Sequence, residues 1–187
     1  MEDLLHDTFD WDFENKVQSL IGQNMNLCYQ CKKCTTGCPL VSEMDYSPHQ
    51  IIYAARLGMK ELVLNSKTIW LCASCQTCTT RCPQEVDIAK VMDAARIIAR
   101  KEKFKPGVRE VLIFNNTFLQ NLRFFGRVYE AGLMLLLKLK TGEIKKDIDL
   151  GIKMIKKGKL KLLPGFTQII EINKMFSRVK KLEHKRI

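Results

Sequence analysis

The 187-residue sequence has no run of the roughly 20 apolar residues that a membrane-spanning helix needs. Its greasiest stretch, residues 131–137, is interrupted by Gly132 and stopped by Lys138. Residues 1–14 are acidic and lack the basic-then-apolar order of a secretory signal, so a cytoplasmic protein is expected. There is no glycine-rich phosphate loop, no G-x-G-x-x-G and no nucleophile elbow. Histidine is scarce: His6, His49 and His184 stand alone, and each is expected at an ordinary surface position. No stretch alternates convincingly as a β-strand does. These absences leave no catalytic constellation in the chain. Enough remains for a core, since 46% of residues are hydrophobic and 27% charged.

Cysteine is the exception to this plainness. All eight cysteines fall in two blocks, Cys28, Cys31, Cys34, Cys38 and Cys72, Cys75, Cys78, Cys82. Each reads C-x2-C-x2-C-x3-C-P, and both carry Thr-Thr after the third cysteine. Three thiolates at this spacing wrap a short loop around one compact object. A cubane iron–sulfur cluster has four iron corners, and one such loop serves three. In runs of this kind the fourth cysteine, next to proline, ligates the other cluster. The expected sets are therefore Cys28, Cys31, Cys34 with Cys82, and Cys72, Cys75, Cys78 with Cys38. Pro39 and Pro83 fix φ and turn the chain away after each crossing cysteine.

Three alternatives fit less well. Disulfides need an oxidising compartment to which nothing points. Four-cysteine zinc sites usually pair two short C-x-x-C knuckles, without a third evenly spaced cysteine or C-P. A thioredoxin-like C-x-x-C lacks its βαβ surroundings. Within the loops, Lys32, Lys33 and Arg81 either raise a cluster potential or are solvated charge. Thr35, Thr36, Thr79 and Thr80 either donate to cluster sulfur or cap turns. Trp70 reads as packing near the second block more than as an electron path.

Helices account for the rest. A weak helix over 15–21 ends near Gly22. Ser47-Pro48 starts a helix that Gly58 can end. A short piece covers 59–64, and residues 40–71 are mostly helical. Asp87 caps a strong helix whose apolar positions include Ile88, Val91, Met92, Ala95, Ile98 and Ala99. Beyond it, apolar positions suggest helices after Pro106-Gly107, around Leu133–Leu139, through Ile144, Ile148, Ile152 and Ile155, and from Phe166 to Phe176. Domain boundaries of 1–104 and 105–187 are expected.

Charge divides the chain. Residues 1–100 hold 12 acidic and 10 basic residues, whereas 101–187 hold 8 acidic and 21 basic, for a total of +11. The basic half is too apolar to be a disordered tail. Docking to an acidic partner is the preferred reading, because complementary charge speeds and orients electron-transfer encounters. A solvated surface, peripheral membrane contact and nucleic-acid binding rank lower, the last because no binding motif accompanies the charge.

With both cysteine blocks 44 residues apart, Trp70 before the second and Val86-Asp87-Ile88 after it, the sequence resembles the helical ferredoxin domain. The chain as a whole, with its cysteine-free basic tail, is similar to the C subunit of heterodisulfide reductase from methanogenic archaea. The resemblance implies a mainly α fold with two 4Fe-4S clusters and a basic helical extension. It also implies an electron relay from a flavin-containing A subunit to a catalytic B subunit that reduces the coenzyme M–coenzyme B disulfide. A hydrogenase or formate dehydrogenase often joins such complexes. Nucleic acid is not an expected partner. The runners-up are an iron–sulfur subunit of another dehydrogenase complex and a free ferredoxin-like carrier.

Overall fold

The computed structural model describes residues 9–142, 153–154, 156–158, 165 and 168–185. The expected repeat through Ile144, Ile148, Ile152 and Ile155 lies outside them, as do His6, Phe166 and the side chain of His184. The described residues form helices and turns and contain no strand. The chain divides into two compact units, one running to Arg109 and the other beginning at Glu110.

The first unit opens with α1, Trp11–Ile21, which begins four residues earlier than its apolar pattern suggests because Asp10 caps it, accepting from Asp12 N at 3.0 Å. Gly22 ends it at φ +67°, in the left-handed region that glycine enters freely. α2 (Lys33–Thr36) lies within the first cysteine block. α3 (Pro48–Arg56) starts where expected, with proline in the first turn and a capping box between Ser47 and Gln50. α4 (Lys60–Asn65) and α5 (Thr68–Leu71) lead to the second block, which holds α6 (Thr77–Thr80). α7 (Ile88–Lys101) follows, capped by Asp87.

The core of this unit is built from one face of each longer helix. Phe13 and Val17 of α1, Ile51, Ile52 and Ala55 of α3, Val63 and Leu64 of α4, Ile69 of α5, and Val91 and Ala95 of α7 are all fully buried. Small residues at Ala89, Ala94, Ala95 and Ala99 let neighbouring helices approach α7 closely. At the rim Lys60 joins three elements, with its Nζ 3.2 Å from Asp10 and 2.6 Å from Glu102. Gly58, at φ +71°, sits so close to Asp10 that a Cβ there would lie 2.7 Å from its carbonyl oxygen.

The second unit contains α8 (Arg109–Phe125), α9 (Glu130–Thr141) and α10 (Ile169–Lys185). Asn121 is 1% exposed and staples the α8–α9 turn. Its Nδ2 donates to Tyr129 O (3.1 Å) and its Oδ1 accepts from Tyr129 N (2.7 Å). Lys140 reaches back from α9 to Thr117 and Gln120. None of the described helices is long and apolar enough to cross a membrane.

Candidate metal centre

The two cysteine blocks fold almost identically, and their local backbone shows why the spacing matters. Gln30 and Lys32 in the first block, and Ser74 and Gln76 in the second, all have positive φ, between 50° and 65°. Each pair flanks the middle cysteine. Left-handed residues alternating with ordinary ones curl the chain into a concavity whose N–H groups suit an anionic guest. Such conformations cost about 1 kcal/mol or more at non-glycine residues, so something must hold them. Each curl ends in the single turn of α2 or α6, and these two turns pack against one another. Arg81, just before Cys82, lies over Gly37, just before Cys38. Cys38 and Cys82 thus sit where the blocks meet.

Exposure of the thiols repeats as well. Cys31 and Cys75, the middle residues, are exposed, while the others are half-buried and Cys34 is buried. One recess is lined by Cys38 from the first block together with Cys72, Cys75 and Cys78 from the second, with Leu40, Met44, Ile88 and Met92 closing it. Burial pushes the Cys34 thiol up to about 11, and burial likewise raises Cys72 and Cys78. Exposed Cys75 is held below the ordinary thiol value by hydrogen bonds with Thr77. Metal loading must therefore displace protons from the buried thiols. The Tyr29 phenol is raised by desolvation, by Cys31 and, least, by Cys82.

A cubane pair fits these residues, because the donors are thiols throughout. Gln30 Nε2 donates to Cys28 Sγ at 3.3 Å, an N–H to sulfur bond of the kind that tunes clusters. Trp70 is 3% exposed, and its buried indole N–H has no acceptor among the described residues. An orphan donor two residues before Cys72 fits an acceptor that the chain alone does not supply.

Around the blocks stand residues that spacing did not single out. Arg56, on α3, donates from Nη1 to Cys28 O (2.7 Å) and from Nε to Asn26 (2.9 Å). Arg96, on α7, donates from Nη1 to Cys72 O (3.2 Å) and from Nη2 to Ser74 Oγ (2.9 Å). Each arginine thus pins the first cysteine of one block. Each also ends an Ala-Ala-Arg triplet, 54–56 and 94–96, placed nine residues after the helix cap. That repeat, outside the ligand motif, was the readable signal. Of the four threonines, Thr36 and Thr80 close their own turns, donating to Lys33 O and Thr77 O, while Thr35 and Thr79 prove to be joints. Thr35 Oγ1 lies 2.8 Å from His49 Nδ1, and Thr79 Oγ1 donates to Asp87 at 3.0 Å. His49 is accordingly half-buried at the head of α3, not a free surface residue.

Residues 24–86 match the family described as a 4Fe-4S dicluster domain. The domain binds two 4Fe-4S clusters. Over 95 residues the chain is 36% identical to the C subunit of the H(2):CoB-CoM heterodisulfide,ferredoxin reductase of Methanothermobacter marburgensis, covering 51% of each. A second relative is the iron-sulfur C subunit of the CoB–CoM heterodisulfide reductase of Methanopyrus kandleri, 36% identical over 81 residues, 43% of this chain and 42% of that protein. The match spans about half the length of the curated relatives. Over its dicluster domain the chain is thus similar to heterodisulfide reductase C subunits, in line with the resemblance carried by its motifs.

Proposed function

We propose that this chain is the electron-relay subunit of a heterodisulfide reductase complex. In this reading Cys28, Cys31, Cys34 and Cys82 hold one cluster, and Cys72, Cys75, Cys78 and Cys38 hold the other. The observation that carries it is the recess in which Cys38 joins the three cysteines of the second block. Each cluster, once bound, exchanges one electron at a time. Four thiolates per cluster leave no iron corner for substrate. The chain's own task is positional. α2 and α6 hold the two ligand loops against each other, and the exposed middle cysteines Cys31 and Cys75 bring each cluster to the surface where a partner can approach. The relay runs in the cytoplasm from a flavin-containing A subunit to a catalytic B subunit that reduces the coenzyme M–coenzyme B disulfide, with a hydrogenase or formate dehydrogenase as upstream donor.

Three measurements test this. Anaerobically purified protein should contain about eight iron and eight acid-labile sulfide per chain. Two zinc ions and no sulfide would sink the reading. Cys38→Ser should damage the cluster of the second block more than that of its own, and the opposite pattern means the ligands are not exchanged. An affinity pull-down from native cells should bring a flavoprotein and a second cysteine-rich subunit in equal amounts. A different dehydrogenase would reassign the complex, and no partner at all would make the chain a free carrier.

A further inference from the structure

The duplicated helices α3 and α7 are nearly superimposable in sequence from the fourth to the ninth residue after their caps: Ile-Ile-Tyr-Ala-Ala-Arg against Val-Met-Asp-Ala-Ala-Arg. Five of the six positions have matching characters and matching burial, with Ile51, Ile52, Ala54 and Ala55 answered by Val91, Met92, Ala94 and Ala95, all buried. The arginines answer each other in function too, since each donates to the carbonyl of the first cysteine of one block. The sixth position breaks the repeat. It is Tyr53 in α3 and Asp93 in α7, three residues before the arginine and so on its side of the helix.

The difference is electrostatic. Asp93 forms an ion pair with Arg96 and accepts from Ser74 Oγ (3.2 Å). The guanidinium that pins the second loop is therefore neutralised in place, with its side chain only 18% exposed. Tyr53 offers Arg56 no charge, and the other partner of Arg56 is the neutral amide of Asn26. Among the described residues Arg56 has no carboxylate partner. The loops add to the same imbalance: Lys32 and Lys33 follow the middle cysteine of the first block, where the second has Gln76 and Thr77. Arg81, from the second block, lies over Gly37 of the first.

We propose that this one broken position of the repeat poises the two clusters unequally, making the cluster on the first loop the easier to reduce. Reduction adds one negative charge to a cluster. A cation hydrogen-bonded to the ligand backbone stabilises that charge, and a carboxylate paired with the cation cancels the benefit. Electrons then enter at the second loop and settle at the first, so the donor docks beside Cys75 and the acceptor beside Cys31, both exposed. This inference rests on the two-cluster reading.

The test is an anaerobic redox titration of the full-length, cluster-loaded protein, followed by electron paramagnetic resonance. Cys31→Ser and Cys75→Ser identify the signals, each perturbing the cluster of its own loop. Wild type should show the first-loop cluster reducing at the higher potential. Asp93→Asn should raise the second-loop cluster and leave the first in place. Tyr53→Asp should lower the first-loop cluster and leave the second in place, so each variant narrows the gap. The reverse order in wild type overturns the proposal, and so does an unmoved second-loop potential in Asp93→Asn at full iron and sulfide content. Should either variant load poorly, the wild-type order still decides. Wild-type protein without iron or sulfide refutes the two-cluster reading, a result distinct from two clusters in the wrong order.

Discussion

Asp45 holds the entry to the second cysteine block from 22 residues away. Its carboxylate accepts from Lys67 N (2.7 Å), Thr68 N (3.0 Å) and Thr68 Oγ1 (2.7 Å), doing for α5 what a local cap does elsewhere. Burial alone would raise this carboxyl, but the bonds from Lys67, Thr68 and Tyr46 outweigh it and hold it below the ordinary aspartate value. Asp87 behaves alike, with Lys90 and Thr79 outweighing its burial. Depressed carboxyls stabilise the fold above the unfolded value of about 3.9, and the benefit is lost as pH falls through their lower folded values. Asp45→Ala should cost about 1 kcal/mol at neutral pH, the low end for a cap because the side chain is exposed. Its deficit against wild type in anaerobic denaturant unfolding should be constant from neutral pH to about 5 and shrink below about 4. A deficit unchanged at low pH would mean the methylene packing, not the charge, matters. None of this was legible in the sequence, because Asp45 lies in a turn with no motif.

At the scale of elements, several helix ends were readable and their partners were not. Caps are local: Ser47-Pro48, Asp87 and Gly22 act within a turn of themselves, and the structure places α3, α7 and the end of α1 accordingly. What α3 and α7 clasp depends on the fold, since Arg56 reaches back to Cys28 and Arg96 to Cys72. In the second unit the same holds for Asn121. Its two bonds to Tyr129 close the α8–α9 turn in a buried place. Asn121→Ala should destabilise that hairpin by about 2 kcal/mol, seen as amide hydrogen exchange in α9 faster by about thirty-fold. Unchanged exchange there would show that the turn closes without the staple.

Across the whole chain, basic charge and exposed apolar surface coincide beyond residue 109. On α10, Lys174, Arg178 and Lys181 form a stripe at i, i+4 and i+7. Met175, Val179 and Leu182 on the neighbouring face are each more than half exposed. A cation stripe next to an apolar one suits an acidic, partly apolar partner surface, with the charge governing the rate of encounter. Reversing all three charges to Glu should slow association with the partner complex by about tenfold or more at low salt and leave iron content intact. The wild-type rate should fall toward the variant's as salt rises. An association rate indifferent to both changes would assign the stripe to plain solvation.

Short-range patterns were enough to read the two cysteine blocks, the helical class and the positions of several helix ends. All three are written in short-range terms: cysteines two and three residues apart, capping side chains, and apolar residues at helical intervals. Only the tertiary structure decided what lies beside what. It brought Cys38 into a recess with Cys72, Cys75 and Cys78, set Arg56 and Arg96 on the first cysteine of each block, and turned Thr35, Thr79 and His49 into joints. These contacts join residues 8 to 40 positions apart. No local preference encodes such distances. They are settled by which helix faces must bury their apolar side chains against each other.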